Sequence, residues 1–514
     1  KGSQEFPLFA FLCPFANLDK REITTSLMYV FSNKNNKRMK RVLIVCCAVF
    51  IALAARAQSF SWTDVAGATF DIVITDATNK YAKVTRGDAP AGATEITVPG
   101  SVPYNGNTYT VTDVAGRVTS VNGQYYWNGL KKIILSEGIR IIRSYTLHLA
   151  FQVEEVVFPS TLELIEPQAC SALGLKHIDL SNTKVRFIGW GAFTSLHGTI
   201  ESIKFPQTLR RLDGYTLDQN SQAPLKNMTL PAQLDTIAYL AFRGLANLEE
   251  ITFEKPTPAL LYMNNPLNPS EGPFDPFRDC SNLQAIHVPV DATKAYMDKP
   301  WWTVQGNKYR EKLIIGSNGY STYYLENENF KVPTGCTAYI ITDIQPGATA
   351  AAPYKAMTQS IAAGSIIPKQ TGFILQGTAG STIEYEANVT GTEVSVSNNL
   401  LVGTATEAKV GNDGTNKYYL FGHKGTNQGF YWQTGTGGEY VNLKAHKAAL
   451  KVAKSQVGYA KSFVLDFEDT TTGIRNIDDT TPQKNDIIYD LQGRRVINPT
   501  HGIYIVNGKK QVFN

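Results

Sequence analysis

The chain has 514 residues, 43% hydrophobic and 18% charged, with 41 Gly and 24 Pro. That composition excludes a disordered or collagen-like chain and allows a sizeable core, and the length suggests three or four units of roughly 150 residues. The net charge of +5 sits in residues 1–57, with nine Lys/Arg and three Asp/Glu; the remaining 40 basic and 41 acidic residues net −1, which argues against nucleic-acid or other polyanion binding.

In chain order, residues 1–38 show no sustained period and read as upstream sequence. Met39-Lys40-Arg41, the apolar run Val42 to Leu53 and Ala55-Arg56-Ala57 predict a secretory signal peptide over 39–57, cleaved between Ala57 and Gln58. The run is shorter than the ~20 residues of a membrane span, and no later segment is long enough either, so the mature chain is expected to carry no transmembrane segment. Residues 58–129 read as a β-rich capping region. Beyond the leader there are three cysteines, Cys170, Cys280 and Cys336. Odd in number and far apart, they predict small buried hydrophobes rather than a disulfide framework or a zinc site.

From residue 130 the pattern L-x-x-I-x-[LFV] recurs seven times, starting at Leu130, Val153, Leu175, Ile200, Leu225, Leu248 and Leu283, with steps of 23, 22, 25, 25, 23 and 35 residues. Pro159, Pro206, Pro231 and Pro289 close four of these segments, as suits the end of a strand. A second signal is locked to the first: Ile142/Thr146/Leu147, Ile165/Ala169/Cys170, Ile188/Ala192/Phe193, Leu212/Thr216/Leu217 and Ile237/Ala241/Phe242. Together they predict a solenoid over 130–311, each repeat adding one short strand, a turn and a second strand-like or helical segment. The small Ala/Thr position implies close backbone approach between repeats.

Strand alternation then places one set of side chains outside. This outward ladder holds Lys132, Ile134, Glu155, Val157, His177, Asp179, Ser202, Lys204, Asn227, Thr229, Glu250 and Thr252, and ends at Ala285/His287. At ~4.8 Å per strand, seven strands would form one sheet roughly 30 Å wide. The ladder has no single chemical theme, and it reads either as a binding surface or as an ordinary solvated face.

The segments Leu175 to Phe193 (LKHIDLSNTKVRFIGWGAF) and Leu225 to Phe242 (LKNMTLPAQLDTIAYLAF) resemble the leucine-rich repeats of BspA-like surface proteins of Bacteroidetes. The resemblance covers about 130–297; Thr216-Leu217 departs from its Ala-Phe pattern, and Pro256, Pro258, Pro266, Pro269 and Pro273 stretch the sixth repeat. It implies adhesion to host proteins or other bacteria through the repeats, without identifying a ligand.

After Trp301-Trp302, expected to cover the open end of the solenoid, residues 312–468 alternate β-branched and aromatic runs with Gly-rich turns. This spacing predicts an antiparallel β-sandwich-like domain. Phe430-Tyr431-Trp432 reads either as a sugar-stacking platform or as alternating core and surface positions of one strand. Residues 469–485 read as a linker. In 486–514, Asn507-Gly508 signals a hairpin, and the segment resembles the C-terminal sorting-type tail of secreted Bacteroidetes proteins.

No HExxH, GxSxG or P-loop motif is present, and the seven His are scattered. Cys336 with His423 or His446 is the one candidate thiol–imidazole pair, set against a structural Cys in a turn. The fold class is therefore mainly β, a leucine-rich-repeat solenoid followed by an antiparallel sandwich-like domain and a small C-terminal hairpin segment. The function expected is non-enzymatic binding of an extracellular protein or glycan, without cofactor, metal or nucleic acid. The alternative is an envelope hydrolase or carbohydrate-binding protein with its site in 312–468.

Overall fold

The structure, a computed structural model, describes residues 58–467 except 127, 197–199, 239, 263–274, 301, 348–352, 425–426 and 459. It also describes 475–476, 488–497, 502–506 and 509–513. The expected leader, Trp301, most of the linker and the Asn507-Gly508 turn lie outside the described residues.

Each repeat contributes two strands, one from each sequence signal. The first strands are Lys132–Leu135, Glu155–Val157, His177–Asp179, Ser202–Lys204, Asn227–Leu230, Glu250–Phe253 and Ala285–His287. The second strands are Ile141–Ile142, Leu164–Ile165, Phe187–Ile188, Arg211–Leu212, Thr236–Ala238 and Leu260–Tyr262. All pairs between neighbouring repeats are parallel. Ile133, Val156, Ile178, Ile203, Met228 and Ile251 from the first strands face Ile142, Ile165, Ile188, Leu212 and Ile237 from the second in one core. No single repeat can bury its apolar face, so stacking is what makes each one stable.

The first strands do not form the single seven-stranded sheet expected from the sequence. Their ladder is broken into three pieces, joining residues 95–157, 177–204 and 227–314. The two gaps fall between Glu155–Val157 and His177–Asp179 and between Ser202–Lys204 and Asn227–Leu230. The continuous sheet is instead built by the second strands. It runs from the N-terminal strand Ser59–Thr63 through Thr69–Asp76, Tyr81–Ala89 and Asn107–Val114 into all six second strands. The N-terminal region thus starts the sheet onto which the repeats add, with Asp113 paired to Ile141 and Val114 to Ile142.

A third side closes each coil with turns. Two residues four apart adopt left-handed backbone in repeat after repeat: Tyr145 and Leu149, Gln168 and Ala172, Gly191 and Ser195, Tyr215 and Gln219, Leu240 and Gly244. For residues other than Gly this costs roughly 1–2 kcal/mol each. Hydrogen bonds along the solenoid offset that cost: the amides of Leu147, Cys170, Phe193 and Leu217 donate to the carbonyls of Ala169, Ala192, Thr216 and Ala241 at 2.8–3.0 Å. The small positions Thr146, Ala169, Ala192, Thr216 and Ala241 are fully buried at these contacts. In the turn after Leu217, the buried Asn220 stands in for part of this ladder, donating to the carbonyls of Phe193 and Leu217 and accepting from the Leu196 amide.

Trp302 is buried in the solenoid core among Phe253, Phe277 and Tyr296, and its Nε1 donates to the Ala259 carbonyl. The end of the first-strand ladder is covered by further chain. Strand Tyr309–Ile314 pairs parallel with Ala285–His287 on one edge and antiparallel with Thr382–Tyr385 on the other. The boundary expected at 311/312 therefore falls inside a strand shared by both halves.

The second half is antiparallel-rich. Nine strands form one sheet in the order Tyr320–Tyr324, Gly372–Gln376, Thr337–Gln345, Tyr354–Ile361, Ser462–Asp466, Asn427–Tyr431, Asn416–Lys424, Lys447–Ala453 and Leu401–Thr404. The central pair, Tyr354–Ile361 with Ser462–Asp466, is parallel. The sheet curls until its first strand meets its eighth, with the Ala448 amide donating to Thr322 Oγ1 at 3.3 Å. One face encloses Ile341, Ile374, Tyr419, Phe430, Leu450 and Phe463. The other packs Tyr323, Ile340, Phe373 and Leu375 with Leu313, Phe330 and Tyr385. In the C-terminal segment, Gly502–Val506 and Lys509–Phe513 pair antiparallel with Val506 opposite Lys509. Arg475–Asn476, inside the expected linker, is instead a strand paired to Lys509–Phe513. The expected hairpin is thus part of a five-stranded sheet.

Candidate functional site

The ladder residues stand where alternation puts them. Glu155, His177, Asp179, Lys204, Asn227, Thr229 and Glu250 are exposed, and Lys132 and Ser202 are half-buried. Their strand neighbours Ile133, Val156, Ile178, Ile203 and Met228 are buried. The ladder's far end differs from expectation: His287 is 4% exposed, because strand Tyr309–Ile314 and its partner Thr382–Tyr385 cover it. His287 Nε2 lies 3.1 Å from Glu250 and its Nδ1 3.6 Å from Glu384.

Most charged side chains of the ladder are committed to one another. Lys132 pairs with Glu155 at 2.9 Å, Lys204 with Asp179 at 3.3 Å, and His177 Nδ1 meets Ser202 Oγ at 2.9 Å. Ser181 and then Lys204 hold the Asp179 carboxyl below its ordinary range. Beside the ladder runs a column missed in the sequence, Lys131, Glu154, Lys176, Glu201, Lys226 and Glu249, whose charge alternates repeat by repeat. Glu154 bridges Lys131 and Lys176 at 2.8 and 3.1 Å, and Lys226 meets Glu249 at 2.8 Å. Each such exposed pair contributes about 0–1 kcal/mol, so the column aligns repeats more than it stabilises them. Asn227 and Thr229, near the middle of the ladder, make no side-chain hydrogen bond or ion pair among the described residues.

The other sequence candidates separate in space. Phe430 is fully buried against Phe421 and Phe463, so the Phe430-Tyr431-Trp432 run cannot act as a three-ring sugar platform. Strand alternation inside a curled sheet turns its first ring inward. Cys336 is buried in the second-half core and burial pushes its thiol up. His446 instead faces Asp291, its Nδ1 4.0 Å from the carboxylate, and His423 is exposed while Cys336 is buried, so neither imidazole pairs with the thiol. Cys170 and Cys280 are also free and buried.

A buried carboxylate cluster, also missed in the sequence, joins the halves. Glu311 is fully buried on the shared strand and accepts from the amides of Asp291, Ala292 and Thr293, from Thr293 Oγ1 and from the Tyr385 hydroxyl. Glu328 accepts from the amides of Lys294 and Asn388. Burial, and next the neighbouring Glu311, push the Glu328 carboxyl well up. Asp291 accepts from the amides of Glu326 and Asn327, and burial raises it as well. With every oxygen turned to backbone and hydroxyl donors, the cluster is built to hold the halves together. No group of three or more His, Cys, Asp or Glu arranged to hold a metal occurs among the described residues, and no described helix is long and apolar enough to cross a membrane.

Among curated proteins, none matches this chain. Solved structures similar to it include a leucine-rich repeat protein from Bacteroides ovatus, 15% identical with a TM-score of 0.22, covering 43% of this chain and 71% of that one. A leucine rich cell surface protein from Faecalibacterium prausnitzii is 14% identical with a TM-score of 0.17, covering 45% and 89%. The pneumococcal vaccine antigen PcpA is 10% identical with a TM-score of 0.18, covering 45% and 87%. Residues 140–261 match the family described as BspA type Leucine rich repeat region, in 6 copies. The central repeats of this chain are thus similar to leucine-rich repeats of the BspA type over residues 140–261.

Proposed function

We propose that this is an exported, adhesin-like recognition protein of the bacterial surface. It binds an extracellular protein or glycan through the outward ladder, with Lys132, Glu155, His177, Asp179, Ser202, Lys204, Asn227, Thr229 and Glu250 as its contact set. The observation that carries this reading is a row of exposed polar side chains held on a rigid, fully packed apolar backing. A preformed surface loses little conformational entropy on binding. The leader-like segment 39–57 and the sorting-type tail 486–514 support export, with a Bacteroidetes origin in keeping with both.

Replacing His177, Asp179 and Lys204 together with Ser in the chain from Gln58 onward is expected to weaken binding to matrix proteins or arrayed glycans at least tenfold, about 1.4 kcal/mol. A folded triple variant that binds as well as the parent overturns the ladder as the site. Secreted protein is expected to yield an N-terminal peptide beginning at Gln58; peptides from residues 1–38 would overturn the export reading.

A further inference from the structure

The continuous sheet of second strands has an outward face that the ladder proposal does not use. Its register threads one row across neighbouring strands, with Asp113 beside Ile141, then Leu164, Phe187, Arg211, Thr236 and Leu260. Each lies next to a buried core residue, so the row points away from the core. Ile141, Leu164 and Phe187 are adjacent, apolar and only half-buried. At ~4.8 Å per strand they form a patch about 10 Å across, enough to seat one or two apolar side chains.

Cations flank this patch at Phe187. Arg186 is exposed and forms no ion pair among the described residues. Arg210 and Lys255 share the single carboxylate of Asp235, at 3.2 and 2.6 Å. The Arg211 guanidinium lies 5.3 Å from the Phe187 ring centre and meets Asp213 at 3.0 Å. Exposed Glu163 lies one strand from Arg186, so the four cations Arg186, Arg210, Arg211 and Lys255 stand against the three carboxylates Glu163, Asp213 and Asp235, a local excess of positive charge on a chain that nets −1 beyond residue 57.

We propose that this face is a second recognition surface, for an acidic protein segment that lays an apolar side chain on the Ile141–Leu164–Phe187 row. An apolar centre with an arginine rim is the arrangement of energetically dominant protein contacts. Guanidinium groups match carboxylates in paired hydrogen bonds. A polyanionic glycan would use the cations and leave the apolar row idle. The surface lies on different strands from the outward ladder, so the two proposals stand or fall separately.

The test uses the chain from Gln58 onward, immobilised, with three probes: a random glutamate–tyrosine copolypeptide, polyglutamate and heparin. The copolypeptide is expected to bind at least about tenfold more tightly than either other probe, and added salt to weaken it. Phe187→Ser and Arg186→Glu are each expected to cost at least about tenfold. The His177/Asp179/Lys204 triple variant is expected to cost nothing here. Arg186 is exposed, so its variant tests the surface even if Phe187→Ser unfolds. Heparin or polyglutamate binding as tightly as the copolypeptide, no copolypeptide binding, or binding indifferent to Arg186→Glu each overturns the proposal.

Discussion

The repeats and the curled sheet of the second half are both β-rich and both fully packed, yet they are built on different ranges of contact. In the solenoid a residue meets its counterpart one repeat away: Lys131 reaches Glu154, 23 residues on, and Lys226 reaches Glu249, again 23 on. In the second half the parallel pair at the sheet's centre is tied by Lys355 to Asp466 and Thr358 to Asp466, 111 and 108 residues apart. Repetition turns spatial neighbours into a sequence period. The curled sheet has none, and its pairings depend on topology alone.

The contrast predicts where the molecule is most easily broken. The largest effect is expected at the seam. Glu311→Ala strips partners from three amides and two hydroxyls inside the junction, and each unpaired buried donor costs about 1–3 kcal/mol. A loss of at least about 3 kcal/mol is expected in urea unfolding, with the second half loosening from the repeats. A fall under about 1 kcal/mol would mean that water replaces Glu311 at little cost.

Inside the solenoid, Ala192→Phe overfills a fully buried position whose carbonyl receives the Cys170 amide. It is expected to cost about 1–3 kcal/mol, while Lys204→Ser on the outward side stays within about 0.5 kcal/mol. Equal effects in thermal melts would place the repeat phase elsewhere.

The smallest effect is a pH dependence at the seam. Burial raises Glu328 and Asp291, so the folded chain holds protons that the unfolded chain releases. That stability is full below the ordinary carboxylate range and is lost as pH rises toward the raised values. The unfolding midpoint is expected to fall gradually from about pH 5 upward, and Glu328→Gln to flatten the slope. A parallel slope in the variant would assign the titration to other groups.

Much of the repeat region was legible before any coordinates. The apolar triplets mark both strands of each coil, and the small residue after the second strand marks where backbones touch. The outward ladder followed from alternation alone, except Ala285 and His287, which are buried where strands far along the chain cover the ladder's end. The second-strand face was overlooked because the triplet signal marks only the core positions Ile142, Ile165 and Ile188 and assigns no direction to Ile141, Leu164 and Phe187 beside them. The apolar doublets II, LI and FI were the available sign, since a two-residue strand can bury only one of its pair.

Two decisions belonged to the tertiary structure. One was which strand set would form the continuous sheet. Both sets have the same period and both start on an N-terminal strand, Glu95–Val98 for the first set and Asn107–Val114 for the second, but among the described residues only the second set keeps pairing through every coil. The other was the seam, where Asp291, Glu311 and Glu328 converge from a turn, a strand and a loop. Carboxylates scattered along a chain look like solvated surface, and only packing from both sides makes them buried partners. By itself the sequence determined what recurs: the period, the core positions and the exposed polar row. A period records contacts that every coil repeats, whereas the seam and the curled sheet are made once, by distant segments with no copy to compare.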